Sequence, residues 1–264
     1  MCFAFDARPP ELPADLRRPP IAGGAPPEIL ELASADGVHV SAALAEAPEG
    51  QDTGVVILPD VRGLYTFYIE LAERFAQAGY PAIAIDYFGR TAGLGPRDEE
   101  FDFWPHVRDT TVEQVQLDVA AAIATLRERT GVTSVVTVGF CFGGMQSFLA
   151  STNPDLDLDG VVGFYAGLST QERFGFPGPL ERADEIAGPL LGLFGGADQG
   201  ISVEQVNELD RRLTESGVGH EIEIYAGAPH SFFDRRYEEY AEACADAWRR
   251  VLGFLESVGA RTAA

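Results

Sequence analysis

Ser134-Val135-Val136-Thr137-Val138-Gly139-Phe140-Cys141-Phe142-Gly143-Gly144 reads as an apolar strand that ends in a sharp corner and gives way to a helix. A reactive side chain at such a corner is lifted off the strand end, and glycines two residues before and after it permit the close backbone approach the corner needs. Gly139 and Gly143 stand at those positions, so the stretch predicts a nucleophile elbow with Cys141 where serine is usual. An acid and a histidine are then expected in that order. Asp198, in Phe194-Gly195-Gly196-Ala197-Asp198, and His230, in Gly227-Ala228-Pro229-His230, both follow predicted strands. A thiol attacks as its thiolate, and a histidine oriented by a carboxylate can take its proton, so the three residue types form a coherent nucleophile, base and orienter.

Outward from the elbow the chain alternates short β-branched runs with helical patterns. Val55 to Leu58, Ala82 to Ile85, Val135 to Phe140, Val161 to Tyr165, Pro189 to Phe194 and Glu221 to Tyr225 read as strands. Phe67 to Ala78, Thr111 to Arg129, Gly144 to Ser151, Val203 to Ser216 and Tyr237 to Ser257 read as helices. This rhythm implies a mostly parallel sheet covered by helices on both faces. Glu28 to Ser34 and Val38 to Ala47, joined at Asp36-Gly37, are expected as an antiparallel pair at one edge. Residues 1–27 form a proline-rich arm expected to drape over a single α/β domain at 28–264, and the long stretch from Tyr87 to Arg108 is a candidate lid or substrate wall.

The chain has 264 residues, 46% of them hydrophobic, enough for a large core without disulfide or metal support. Cys2, Cys141 and Cys244 lie far apart with no Cys-x-x-Cys spacing, which argues against a disulfide framework and a zinc site and suits a reducing cytoplasm. No secretory leader or membrane-spanning run is read at the N-terminus or beyond. A net charge of −22 disfavours nucleic acid and anionic membranes as partners. All 19 basic residues are arginine, which excludes a catalytic lysine. The chain is expected to act on a small molecule as a monomer or weak homodimer, with no cofactor and no metal.

In sheets of this kind ligands gather at the carboxyl ends of the strands, where Asp60, Val61, Cys141, Asp198 and His230 all fall. The oxyanion of acyl transfer needs two backbone N–H donors, expected from Phe142 and Val61. With these residues in view the chain resembles the dienelactone hydrolase family, carboxymethylenebutenolidase-like members of the α/β-hydrolase superfamily, from about Glu28 to the C-terminus. The resemblance rests on Gly139 to Gly144, on Gly79-Tyr80-Pro81-Ala82 with Asp86-Tyr87-Phe88-Gly89-Arg90, and on His230-Ser231-Phe232. It implies an α/β-hydrolase fold and cofactor-independent hydrolysis of small lactones or esters. It also implies that Asp60 stands where the family has a glutamate that takes the thiol proton. Arg97, with Phe101 and Trp104 behind it, resembles the first of two arginines that hold a substrate carboxylate. The position of the second is Asp234, with Arg235 immediately beyond, and Arg62 and Phe232 complete the expected substrate contacts. A broader carboxylesterase or thioesterase, and a catalytically silent binding member of the fold, are the alternatives.

Overall fold

A computed structural model of the chain describes residues 6–17, 26–47, 51–95, 97–170, 175–234 and 237–262. Eight strands form one sheet: β1 (Glu28–Ala33), β2 (His39–Ala45), β3 (Thr53–Leu58), β4 (Ala82–Ile85), β5 (Ser134–Phe140), β6 (Gly160–Phe164), β7 (Leu190–Gly195) and β8 (His220–Tyr225). Their order across the sheet is β1-β2-β4-β3-β5-β6-β7-β8. The β1/β2 and β2/β4 pairs are antiparallel and every other pair is parallel. The expected edge hairpin is present, with Gly37 at φ 81° in its turn.

The period-two alternation of each strand feeds two cores. In β3, Val55 and Ile57 face a core closed by α1 (Thr66–Gln77), α6 (Val203–Glu215) and α7 (Ala241–Thr262), while Val56 and Leu58 face one closed by α4 (Val112–Thr130). α5 (Phe142–Ala150) packs beside α4 on β5 and β6. Local signals fix the helix ends: Thr111 and Gln114 form a reciprocal capping box before α4, and Gly131 closes it at φ 73°. Ser202 and Gln205 do the same at the start of α6.

Two expectations on element boundaries change. The stretch from Tyr87 to Arg108 holds two short helices, α2 (Gly89–Ala92) and α3 (Phe103–Asp109). α7 begins at Ala241 rather than Tyr237, because the chain after His230 first buries Phe232, Phe233 and Asp234. The described part of the N-terminal arm at 6–17 packs on the domain: Leu12 lies in the larger core, and the Trp248 indole N–H donates to the Pro10 carbonyl at 3.2 Å. Among the described residues no helix is long and apolar enough to cross a membrane.

Candidate active site

The sheet order sets β5 between β3 and β6, so the ends of these strands deliver their turns to one place. Cys141 stands at the β5–α5 corner with φ 56° and ψ −110°, a conformation that side chains other than glycine rarely adopt and that stores on the order of 1–3 kcal/mol. Its N–H is tied to the Phe164 carbonyl of β6 at 3.0 Å. The flanking glycines are required by contact. A Cβ on Gly139 would lie 2.0 Å from the Gly143 carbonyl oxygen, and a Cβ on Gly143 would lie 2.0 Å from the Leu58 carbonyl oxygen at the end of β3.

A second close approach brings the acid and histidine loops together. Gly195 ends β7 with no room for a side chain, since a Cβ there would lie 2.4 Å from the Ala228 oxygen, and Ala197 N–H donates to that same oxygen at 2.9 Å. His230 Nδ1 thereby reaches Asp198 Oδ2 at 2.7 Å, and the same imidazole hydrogen-bonds the Cys141 side chain. Asp198 Oδ1 accepts from the N–H groups of Gly200, at 2.8 Å, and Ile201, at 3.2 Å. Burial pushes the Asp198 carboxyl up, but the bond and charge of His230 and the two amides hold it below the usual range. Burial alone would lower the histidine; the Asp198 bond, the Cys141 bond and the charges of both raise it to about 10. The arrangement favours a protonated His230 beside the Asp198 carboxylate.

The turn after β3 supplies the facing wall. Asp60 is fully buried; its Oδ1 accepts from Arg62 N–H at 2.9 Å, and its own N–H donates to Tyr68 Oη at 3.0 Å. Burial raises its pKa most, Arg62 opposes that, and the nearby Cys141 charge raises it further, so the carboxyl faces the thiol's field. The N–H of Val61 has no acceptor among the described residues, and Phe142 opens α5, where an N–H has no partner within the helix. The Gly143 contact with Leu58 and Pro59 sets the start of α5 against the strand end that leads into the Val61 turn.

The expected substrate residues divide. Arg62 lies at the site, folded over Tyr65 at 4.3 Å with Nη2 donating to Tyr65 Oη at 2.6 Å and to Asp60 at 3.4 Å. Arg97 is turned inward: its guanidinium donates to both oxygens of the buried Asp86, at 3.2 and 2.7 Å, and to the Gly93 carbonyl at 2.7 Å. A substrate carboxylate would have to displace Asp86 to reach it. Phe101 lies under Arg97 at 4.8 Å and stacks on His106 at 5.0 Å, while Trp104 is 40% exposed beside Phe103. Phe232 is fully buried against Tyr165 and Tyr225 in the larger core. Arg235 lies outside the described residues. Cys244 is buried, and burial together with the Asp234 charge pushes its thiol up to about 12, consistent with packing.

Sequence reasoning missed Tyr165. It follows β6 at φ 36°, its ring lies 4.9 Å from His230, and its hydroxyl donates to Asp234 Oδ2 at 2.7 Å. The available signal was its place at the carboxyl end of the strand next to the elbow.

An eight-stranded, mostly parallel sheet with an elbow after β5 and acid and histidine turns after β7 and β8 defines the α/β-hydrolase fold. The model of the dienelactone hydrolase family matches residues 40–259, and the chain belongs to that family of lactone and ester hydrolases. It is 31% identical over 216 residues to a Synechocystis protein named "Putative carboxymethylenebutenolidase", covering 79% of this chain and 87% of the relative. A Saccharolobus solfataricus protein of the same name is 28% identical over 258 residues, covering 84% and 96%. Among solved structures, a Klebsiella pneumoniae protein described as "Putative Dienelactone Hydrolase" shares the fold with a TM-score of 0.75 at 24% identity, covering 87% of this chain and 98% of that one.

Proposed function

We propose that this protein hydrolyses a small lactone or ester through Cys141, His230 and Asp198, without a cofactor. The observation that carries the reading is the single imidazole that bridges a thiol on a strained elbow and a buried carboxylate. The Cys141 thiolate attacks the carbonyl carbon, the C–S bond forms, and the carbonyl oxygen becomes an oxyanion facing the Val61 and Phe142 N–H groups. Collapse breaks the C–O bond, and the departing oxygen takes a proton from His230. A water molecule, giving its proton to His230, then attacks the thioester carbonyl; the C–S bond breaks and the carboxylate product leaves. Asp198 holds the ring in the required orientation throughout. Asp60, whose raised pKa reflects burial and the Cys141 charge, receives the Cys141 proton when substrate arrives and returns it once the C–S bond has broken.

One observation favours the broader ester reading over an anionic lactone. Arg97 is spent on Asp86, so the first arm of a carboxylate clamp is engaged inside the protein. The deciding experiment compares a short-chain p-nitrophenyl ester with a dienelactone, using native protein, Cys141→Ala and iodoacetamide-treated protein. The reading expects turnover that both treatments abolish. Full activity in Cys141→Ala sinks the mechanism, and ester turnover without lactone turnover selects the broader esterase.

A further inference from the structure

Asp86, at the carboxyl end of β4, is fully buried and gathers four donors on one carboxylate. Two are the N–H groups of Leu64, at 3.1 Å, and Phe88, at 2.9 Å; two are Arg97 Nε and Nη2. Leu64 ends the turn that begins at Asp60 and carries the Val61 N–H. Within that turn Gly63 stands at φ 74°, and a Cβ there would lie 2.4 Å from Asp86 Oδ1, so the backbone is pressed directly onto the carboxylate. Gly63 N–H closes the turn on the Asp60 carbonyl at 3.1 Å. The neighbour Tyr87 grips the other end, its hydroxyl donating to the Pro59 carbonyl at 2.8 Å. Adjacent residues at one strand end thus hold the turn from both sides, and Arg97 fixes the carboxylate that does half of this.

We infer that Asp86 is a positioning residue for the oxyanion turn, with Arg97 as its lock, so that the segment between α2 and α3 is coupled to the chemical step. The inference rests on the hydrolase reading above. Two features argue for this over simple stabilisation. A buried ion pair is a weak source of net stability, because desolvation consumes much of its attraction. The pair is also joined to the turn by Leu64 N–H, not to a distant part of the core. A turn freed by about 1 Å would lose alignment of the Val61 donor, and misplacement on that scale reduces turnover by about a hundredfold.

The test uses the full chain with p-nitrophenyl acetate as substrate and iodoacetamide as a second probe of Cys141. Alkylation forms a C–S bond and expels iodide without creating an oxyanion, so it reports the thiol and histidine while ignoring the turn. Asp86→Asn should lower kcat about a hundredfold with KM and the alkylation rate each within about threefold of native. Arg97→Gln should act in the same direction, and Arg97→Lys, which keeps the charge, should recover part of the loss. Should Asp86→Asn fail to fold, Arg97→Gln and the charge-neutral pair Asp86→Asn with Arg97→Gln carry the same comparison. A folded variant with kcat within about threefold of native, or an alkylation rate that falls in parallel with kcat, overturns the assignment. Absence of thiol-dependent turnover in native protein overturns the hydrolase reading itself, a different outcome from native turnover that Asp86→Asn leaves intact.

Discussion

Gly143→Ala is the most demanding single-atom test of how the site is assembled. The added Cβ would stand 2.0 Å from the Leu58 carbonyl oxygen and 2.3 Å from that of Pro59. Neither oxygen belongs to a side chain that can swing away, and real Cβ atoms essentially never come closer than 3.0 Å. The start of α5 must therefore retreat from the end of β3 by about 1 Å, the same order as a catalytic misplacement that costs about a hundredfold in rate. The retreat separates Phe142 from the Val61 turn. Overpacking should also lower stability by about 1–3 kcal/mol. Gly253→Ala is the matched control: it lies on the exposed side of α7 with nothing within 4 Å of a new Cβ, and helix propensity should raise stability by up to about 1 kcal/mol. Urea unfolding of both variants, with kcat/KM for p-nitrophenyl acetate, gives the comparison. Near-native turnover and unchanged stability in Gly143→Ala would refute the claim that backbone contact at this glycine sets the elbow against the oxyanion turn.

Cys141→Gly removes the side chain from a backbone that glycine adopts readily, so it should abolish turnover while raising stability by about 1 kcal/mol in urea unfolding. His230 is raised from 6.5 to about 10, so its charge-linked contribution to stability is fully present below pH 6.5 and is lost as pH climbs through about 10. Comparing unfolding midpoints of native protein and His230→Gln across that window should show the native advantage shrinking with rising pH. Asp198, held below 3.8, contributes with the opposite sign: its stabilisation is present above 3.8 and fades as pH falls through the lowered value, which the same titration of Asp198→Asn reads. Trp248→Ala empties a fully buried site between Phe75 and Phe233 and frees the Pro10 carbonyl, so it should cost about 3–5 kcal/mol and make the N-terminal arm more sensitive to proteolysis.

The elbow was legible because its chemistry is local: a β-branched run, a corner and two glycines within five residues of Cys141 state the geometry almost completely. Asp198 and His230 were legible by order and by their places after strands, since parallel crossovers bring such ends to one side. What escaped depends on partners that sequence spacing does not encode. Arg97 and its aromatic neighbours fit a substrate clamp by spacing, yet Asp86, eleven positions earlier at a buried strand end, offers that guanidinium a two-oxygen partner inside the fold. Phe232 follows the histidine and so looked like a pocket residue, but Ser231 adopts φ 59°, and Phe232 lies fully buried behind it. Tyr165 went unread because its value comes from lateral neighbours, β5 and the histidine loop, which only sheet order supplies.

Asp60 and Asp234, the two positions where the resemblance implies a departure from the family pattern, have different partners here. The Asp60 carboxylate is held by Arg62 while the Asp60 backbone N–H donates to Tyr68 Oη, whereas the Asp234 carboxylate accepts from Tyr165 Oη. Burial drives the hydroxyls of both tyrosines well above their ordinary pKa, and the neighbouring carboxylates push them further, so both remain neutral at any physiological pH. At Asp234 a neutral phenol satisfies the carboxylate without adding charge, whereas an arginine there would add a cation beside the His230 imidazolium. With Tyr165 packed on the imidazole and bonded to Asp234, the acid is linked to the histidine it follows by four residues. A substrate recognised by shape and by an uncharged carbonyl suits a site whose Arg97 is engaged by Asp86 better than one that must deliver a carboxylate to that guanidinium. That internal ion pair is the physical ground for expecting esters to outperform anionic lactones in the first comparison of substrates.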